Sequence, residues 1–189
     1  TKYHGNAKSV TIPTKVGAHV VIGVSRYTFS DNKTLKSITV PDGMRVDGFG
    51  ACNVEKIYFK GKATLGYETF SGCKYLKEVN LPPNLREIPS GMFYGCKNLK
   101  SLTLPEGITS IGGDAFYGCS KLQKLRIPKE VNYIEYNPFA YCSSLTGLTV
   151  DKGNPYFAHG PNGELYQVDG SHAELIFAGA VSGDYVVSK

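Results

Sequence analysis

The sequence predicts a repeat solenoid, β-rich with short helical or 3₁₀ turns, carrying one parallel sheet face and ending in a C-terminal β-hairpin insertion. Three observations carry that expectation. Cys52, Cys73, Cys96, Cys119 and Cys142 stand 21, 23, 23 and 23 residues apart. Three places before each is a phenylalanine: Phe49, Phe70, Phe93, Phe116 and Phe139. An apolar residue follows each cysteine, at Leu76, Leu99, Leu122 and Leu145 three places on and at Val54 one place early. An earlier unit opens at Phe29, with Asn32 in the cysteine position and Leu35 after it. A unit this short cannot bury its apolar side alone, whereas turns stacked at the ~4.8 Å strand spacing share one continuous core.

Residues 1–28 fit the period loosely. Val10-Thr11-Ile12-Pro13 reads as a strand closed by proline, and Val16 to Ile22 holds more residues than a standard turn needs. This segment is expected to be an irregular capping turn over the open end of the core. Residues 29–150 are the repeats proper. In the best unit Leu102-Thr103-Leu104 alternates as a half-buried strand does, and Pro105, which cannot donate to a ladder, ends it. Pro41, Pro82 and Pro128 fill the same place, and Asp42-Gly43 and Glu106-Gly107 supply turn chemistry. Asp114 to Gly118 suits a short helical or 3₁₀ turn on the far side. Residues 151–189 are expected to be a C-terminal β-hairpin region leading toward a further repeat or cap, with Asn162-Gly163 as a type I′ turn signal.

The run Ala115-Phe116-Tyr117-Gly118-Cys119, followed by Leu122, Leu125, Ile127 and Pro128, is similar to the BspA type of leucine-rich repeat. So is Leu99-x-x-Leu102-x-Leu104 of the preceding unit. The resemblance covers Phe29 to Val150 unit by unit, the segment from Asn154 to Phe177 resembles the hairpin insertion of such proteins, and in such proteins the stretch around Tyr185-Val186-Val187 would start a further repeat. It implies a right-handed leucine-rich-repeat coil and a surface protein of host-associated bacteria or protists. Adhesion to host or neighbouring-cell components is the role it implies.

Composition narrows the rest. Of 189 residues 41% are apolar and 20% charged, enough to bury a core, and no apolar run approaches the ~18 residues of a membrane span. The formal charge of +5 is scattered without a run of one sign, so no nucleic-acid partner is expected. The chain opens at Thr1 without a positive stretch leading into an apolar one, so it is expected to be a soluble, mature piece. Asn32-Lys33-Thr34 forms a glycosylation sequon, read as a chance match.

No catalytic chemistry is expected. The five cysteines lack the close pairs of a zinc site, and parallel side-chain vectors on neighbouring turns are poorly disposed to bridge, so they read as a ladder of buried thiols. His4, His19, His159 and His172 share no ligand spacing. There is no nucleophile elbow, P-loop or zinc-protease motif, and Gly48-Phe49-Gly50 lacks the third glycine of a dinucleotide loop. The expected cofactor and metal content is none.

A binding face follows from strand geometry, because the residue between two core positions points outward. One outward column is Thr39, Tyr58, Asn80, Thr103, Arg126 and Thr149. A second, two residues earlier, includes Lys56, Glu78 and Lys124 along with Ser37, Ser101 and Gly147. Tyr58 and Arg126 are the types enriched in binding hot spots. Two readings stand: a non-catalytic module that binds protein or glycan on host or neighbouring cells through this face, or a stalk presenting another domain. Either is placed outside the cell or on its surface.

Overall fold

The structure, a computed structural model, describes residues 2–179; the expected repeat at Tyr185-Val186-Val187 lies outside them. The chain opens with β1 (Ser9–Thr11), β2 (Lys15–Val16), β3 (His19–Val20) and β4 (Gly23–Val24). Each later turn gives two strands: β5 (Ser37–Val40) and β6 (Met44–Val46), then β7 (Lys56–Phe59) and β8 (Ala63–Leu65), then β9 (Glu78–Asn80) and β10 (Glu87–Ile88). There follow β11 (Ser101–Leu102) and β12 (Ser110–Ile111), β13 (Lys124–Ile127) and β14 (Tyr133–Ile134), and β15 (Gly147–Val150). The described chain closes with β16 (Phe157–His159), β17 (Leu165–Asp169) and β18 (His172–Phe177).

The architecture is a β-solenoid. The expected sheet face is built from β1-β5-β7-β9 and β11-β13-β15, all parallel. The structure adds a second parallel ladder on the next side, β4-β6-β8 and β10-β12-β14. The N-terminal segment joins both ladders through β1 and β4, and its surplus residues form the small β2–β3 hairpin.

Inside, the repeat signature becomes a stack of rings. Phe29, Phe49, Phe70, Phe93, Phe116 and Phe139 follow one another along the axis, with centroids 5.0–6.3 Å apart and planes within 26° of parallel. Tyr3 closes the stack at one end and Phe177 at the other. Each of the six phenylalanines from Phe29 to Phe139 is 0–4% exposed, so the burial of each contributes about 1.5–3 kcal/mol.

The turn on the third side is not helical; among the described residues there is no helix. Asp114 and Gly118 both take positive φ, at 54° and 71°, which interrupts any helical run. The donors explain why. Phe93, Gly95, Phe116 and Gly118 send their amides across to carbonyls of the following turn, at Ala115, Tyr117, Pro138 and Ala140. A helix would have consumed those donors internally. Linking each turn to the next uses them instead, while isolated bonds such as Tyr117 N–H to Asp114 C=O close single β-turns.

The five cysteines are buried and free. Cys96, Cys119 and Cys142 donate to the carbonyls of Phe70, Phe93 and Phe116 at 3.1–3.2 Å, whereas the Cys52 and Cys73 sulfurs face each other at 3.7 Å. Burial pushes the Cys142 thiol up to about 12 and raises Cys96 and Cys119 further still. Asn32, in the cysteine position of its unit, makes the same link with an amide: its Nδ2 donates to Gly5 C=O and its Oδ1 accepts from Leu35 N–H.

The antiparallel sheet β16-β17-β18 covers the end of the coil, burying Phe157 and Leu165. Asn154 fastens it. Its Nδ2 donates to the carbonyls of Pro128 and Val131, and its Oδ1 accepts from the amides of Tyr156 and Phe157. Asn162-Gly163 lies within a five-residue loop and is not a two-residue type I′ turn, because only Gly163 has positive φ. The tight hairpin falls instead at Gly170-Ser171, between paired Asp169 and His172. A β-carbon on Gly163 would sit 2.8 Å from the Thr146 carbonyl, at φ 82°. Gly163→Ala should therefore loosen this cap, with a stability loss of about 1–3 kcal/mol in a urea titration.

Candidate binding face

The two outward columns predicted from sequence lie side by side on the first ladder. Thr39, Tyr58 and Asn80 are in register across β5, β7 and β9, as are Lys56 with Glu78, Lys124 with Gly147 and Arg126 with Thr149. Core positions alternate beneath them, from Ile38 and Val40 to Leu148 and Val150.

The face is laced together internally. Lys56 Nζ lies 2.9 Å from Glu78, and the Tyr58 hydroxyl donates to the same carboxylate at 3.1 Å. The Lys56 ammonium and then the Tyr58 hydroxyl hold the Glu78 carboxyl below its usual range, and Glu78 raises Lys56 in turn. Arg126 forms ion pairs with both Glu106 and Asp151, one on the turn before and one on the turn after. Asn80 is exposed by surface area, yet its side chain is committed. Its Oδ1 accepts from Phe59 N–H and its Nδ2 donates to Phe59 C=O, both at 2.9 Å. Thr149, on β15, and Thr103, just past the end of β11, remain as exposed hydroxyls.

The ladder does not run unbroken beneath these residues. β9 pairs back to β7 but not forward to β11, so Asn80 and Thr103 are not joined as strand partners. On the second ladder the break falls one turn earlier, between β8 and β10. The cause is a change of unit. Early turns place their inward second-ladder residues two apart, at Met44 and Val46 and at Ala63 and the partly buried Leu65; later turns place them three apart, at Leu85 and Ile88 and at Ile108 and Ile111. The two kinds of turn cannot share one register, and Pro82 and Pro83 remove two donors at the junction. The opening in the first ladder leaves a hollow of about 570 Å³, with Val79, Leu81, Leu102 and Leu104 in its lining and Lys77, Glu78 and Glu106 among its polar residues. Sequence reasoning missed this groove; its signal is the step from 21- to 23-residue spacing at Cys73 together with the Pro82-Pro83 pair.

Tyr94 and Tyr117 stack face to face on the turn side, 4.7 Å apart and 2° from parallel, and Tyr141 leans on Tyr117 at 4.9 Å. Among the described residues no three His, Cys, Asp or Glu side chains converge as a metal set, and no helix is long and apolar enough to cross a membrane.

The family model of the BspA-type leucine-rich repeat region matches six copies over residues 44–159. The chain belongs to the BspA-type leucine-rich repeat family. No curated protein matches it. Solved structures do. A leucine-rich cell surface protein from Faecalibacterium prausnitzii A2-165 is 25% identical with a TM-score of 0.66, over 93% of this chain and 55% of that one. A T. pallidum leucine-rich repeat protein is 25% identical with a TM-score of 0.53, over 78% and 61%. A leucine-rich repeat protein from Bacteroides ovatus is 26% identical with a TM-score of 0.52, over 77% and 37%. This BspA-type chain thus spans between about a third and three fifths of those proteins' lengths.

Proposed function

We propose that the chain is a non-catalytic interaction module of a cell-surface or extracellular protein, which engages protein or glycan partners of host or neighbouring cells through the first-ladder face. The observation that supports this most is the face itself. It is a flat array of polar side chains on a backbone that the ring stack keeps stiff, with an apolar-lined groove at its middle. Preorganised surfaces of this kind lose little entropy on binding. The cell-surface protein from F. prausnitzii, similar over nearly the whole of this chain, supports the location.

A stalk that presents another domain is favoured by one observation: Tyr58 and Arg126, the best hot-spot types on the face, are both tied to carboxylates of the same chain. Surface plasmon resonance against matrix proteins and glycans separates the two readings. For a binding module, Tyr58→Ala or Arg126→Ala is expected to weaken a saturable interaction by about 1–2 kcal/mol. If every partner binds both variants as it binds the parent chain, the first-ladder face is not the site; if no partner binds the parent chain, the stalk reading stands.

A further inference from the structure

The scattered positive charge of the sequence is gathered by the coil. Between each cysteine position and the strand that follows runs a short arc, and in the arcs from Asn32 to Gln123 there are seven lysines and one glutamate, with no arginine or aspartate. That strip carries +6, more than the +5 of the whole chain, so everything else sums to −1. Backbone bonds join the arcs from Glu55 N–H to Lys36 C=O, Lys77 N–H to Glu55 C=O and Gln123 N–H to Lys100 C=O, and between the arcs of Lys74 and Lys97 the link is Asn98 Nδ2 to Lys74 C=O, so the arcs follow one another along the solenoid axis. The lone acid, Glu55, is shared by Lys36 and Lys77. Lys97 and Lys100 are exposed and have no carboxylate partner among the described residues, and Lys74 lies over the Tyr75 ring at 5.2 Å. A hollow of about 520 Å³ opens on the same strip, lined by Lys33, Lys36, Asn53, Lys74 and Tyr75.

We infer that this lysine strip is a second binding surface, for a linear anionic polysaccharide bearing sulfate or carboxylate groups and lying along the solenoid axis. Three successive arcs, with Lys74 and Lys77, Lys97 and Lys100, and Lys121, carry cations at the ~4.8 Å spacing of stacked turns, which matches a long polyanion better than a compact one. Of the tyrosines near it, Tyr94 and Tyr117 cover one face of each other and Lys74 lies over Tyr75, which leaves fewer ring faces on which a nucleic-acid base could stack. The strip adjoins the first-ladder face at Lys77, but Lys74, Lys97 and Lys100 lie outside the groove of that face, so the two surfaces are tested independently.

The test uses immobilised heparin as the probe, with uncharged dextran and single-stranded poly(dT) beside it, across a range of salt. The chain is expected to bind heparin saturably, to ignore dextran and to weaken as salt rises. Replacing Lys74, Lys97 and Lys100 together by glutamine should weaken binding by about tenfold to a hundredfold. Replacing Lys15, Lys62 and Lys152, which lie off the strip, removes the same charge and should change affinity by less than about twofold. Equal losses in the two triple variants, no heparin binding by the parent chain, or tighter binding to poly(dT) than to heparin would each overturn the inference. Tyr58→Ala should keep heparin binding, so failure of one surface is read apart from failure of the other.

Discussion

Phe116→Ala is expected to destabilise the solenoid by about 3–5 kcal/mol, the largest loss of any single truncation considered. Phe116 is fully buried, with Phe93 at 5.3 Å on one side and Phe139 at 5.6 Å on the other, both near parallel. Its removal opens a cavity flanked by two flat rings that the hydrogen bonds between turns hold at fixed spacing, so the walls cannot collapse. The loss should appear in thermal denaturation as a drop of about 6–20 °C, from 2–4 °C per kcal/mol for a chain of this size. Tyr117→Ala, one residue along and only half-buried, gives the comparison and should cost about 1 kcal/mol. A Phe116→Ala variant that melts within a degree or two of the parent would show that the stack does not hold the turns together.

What made this core readable in the sequence is that its signal is local and repeated: each unit restates Phe, Cys and Leu at fixed offsets, and stacking follows from the period alone. The sheet face was readable for the same reason, since alternation within Leu125-Arg126-Ile127 fixes which side chain points out. Features that depend on two turns at once were not. Arg126 meets Glu106, twenty residues earlier, and Asp151, twenty-five later, and nothing in either local run marks the partnership. The lysine strip is invisible along the chain because its members are three, about twenty or, across the Glu55 arc, 38 residues apart. The helical turn expected at Asp114–Gly118 failed on the same ground. Local propensity permits it, but the amides there are needed by the neighbouring turn. Asn162-Gly163 carried a hairpin signal that the cap uses differently, with Glu164 accepting from Asn162 N–H and widening the loop.

The second large effect is expected at the junction between the two kinds of turn. There the strands part, and two asparagines take over the work of a peptide ladder. Asn84 repeats what Asn80 does at Phe59: its Oδ1 accepts from Ala63 N–H and its Nδ2 donates to Ala63 C=O, both at 3.0 Å. A side-chain amide carries the same donor and acceptor as a peptide unit, so each asparagine replaces one missing strand partner. Phe59 and Ala63 are 5% and 3% exposed, and water cannot readily replace these bonds. The double variant Asn80→Ala, Asn84→Ala strips four backbone groups of their partners and should cost about 2–4 kcal/mol. Because solenoid stability is a sum of unit and interface terms, weakening one interface should also split the urea transition into two steps, one for each side of the junction. Aspartate at both positions would still accept from the two amides but could not donate to the two carbonyls, and should fall between the parent and the double alanine variant. Hydrogen exchange at Phe59 and Ala63 reads the same bonds directly and should quicken in the alanine variant. A single unshifted transition with slow exchange at both amides would mean that the turns are held here by packing alone. The result also bears on the binding face: Asn80 sits among the outward residues, and a loss of affinity in Asn80→Ala reports the opening of the junction before it reports a lost contact.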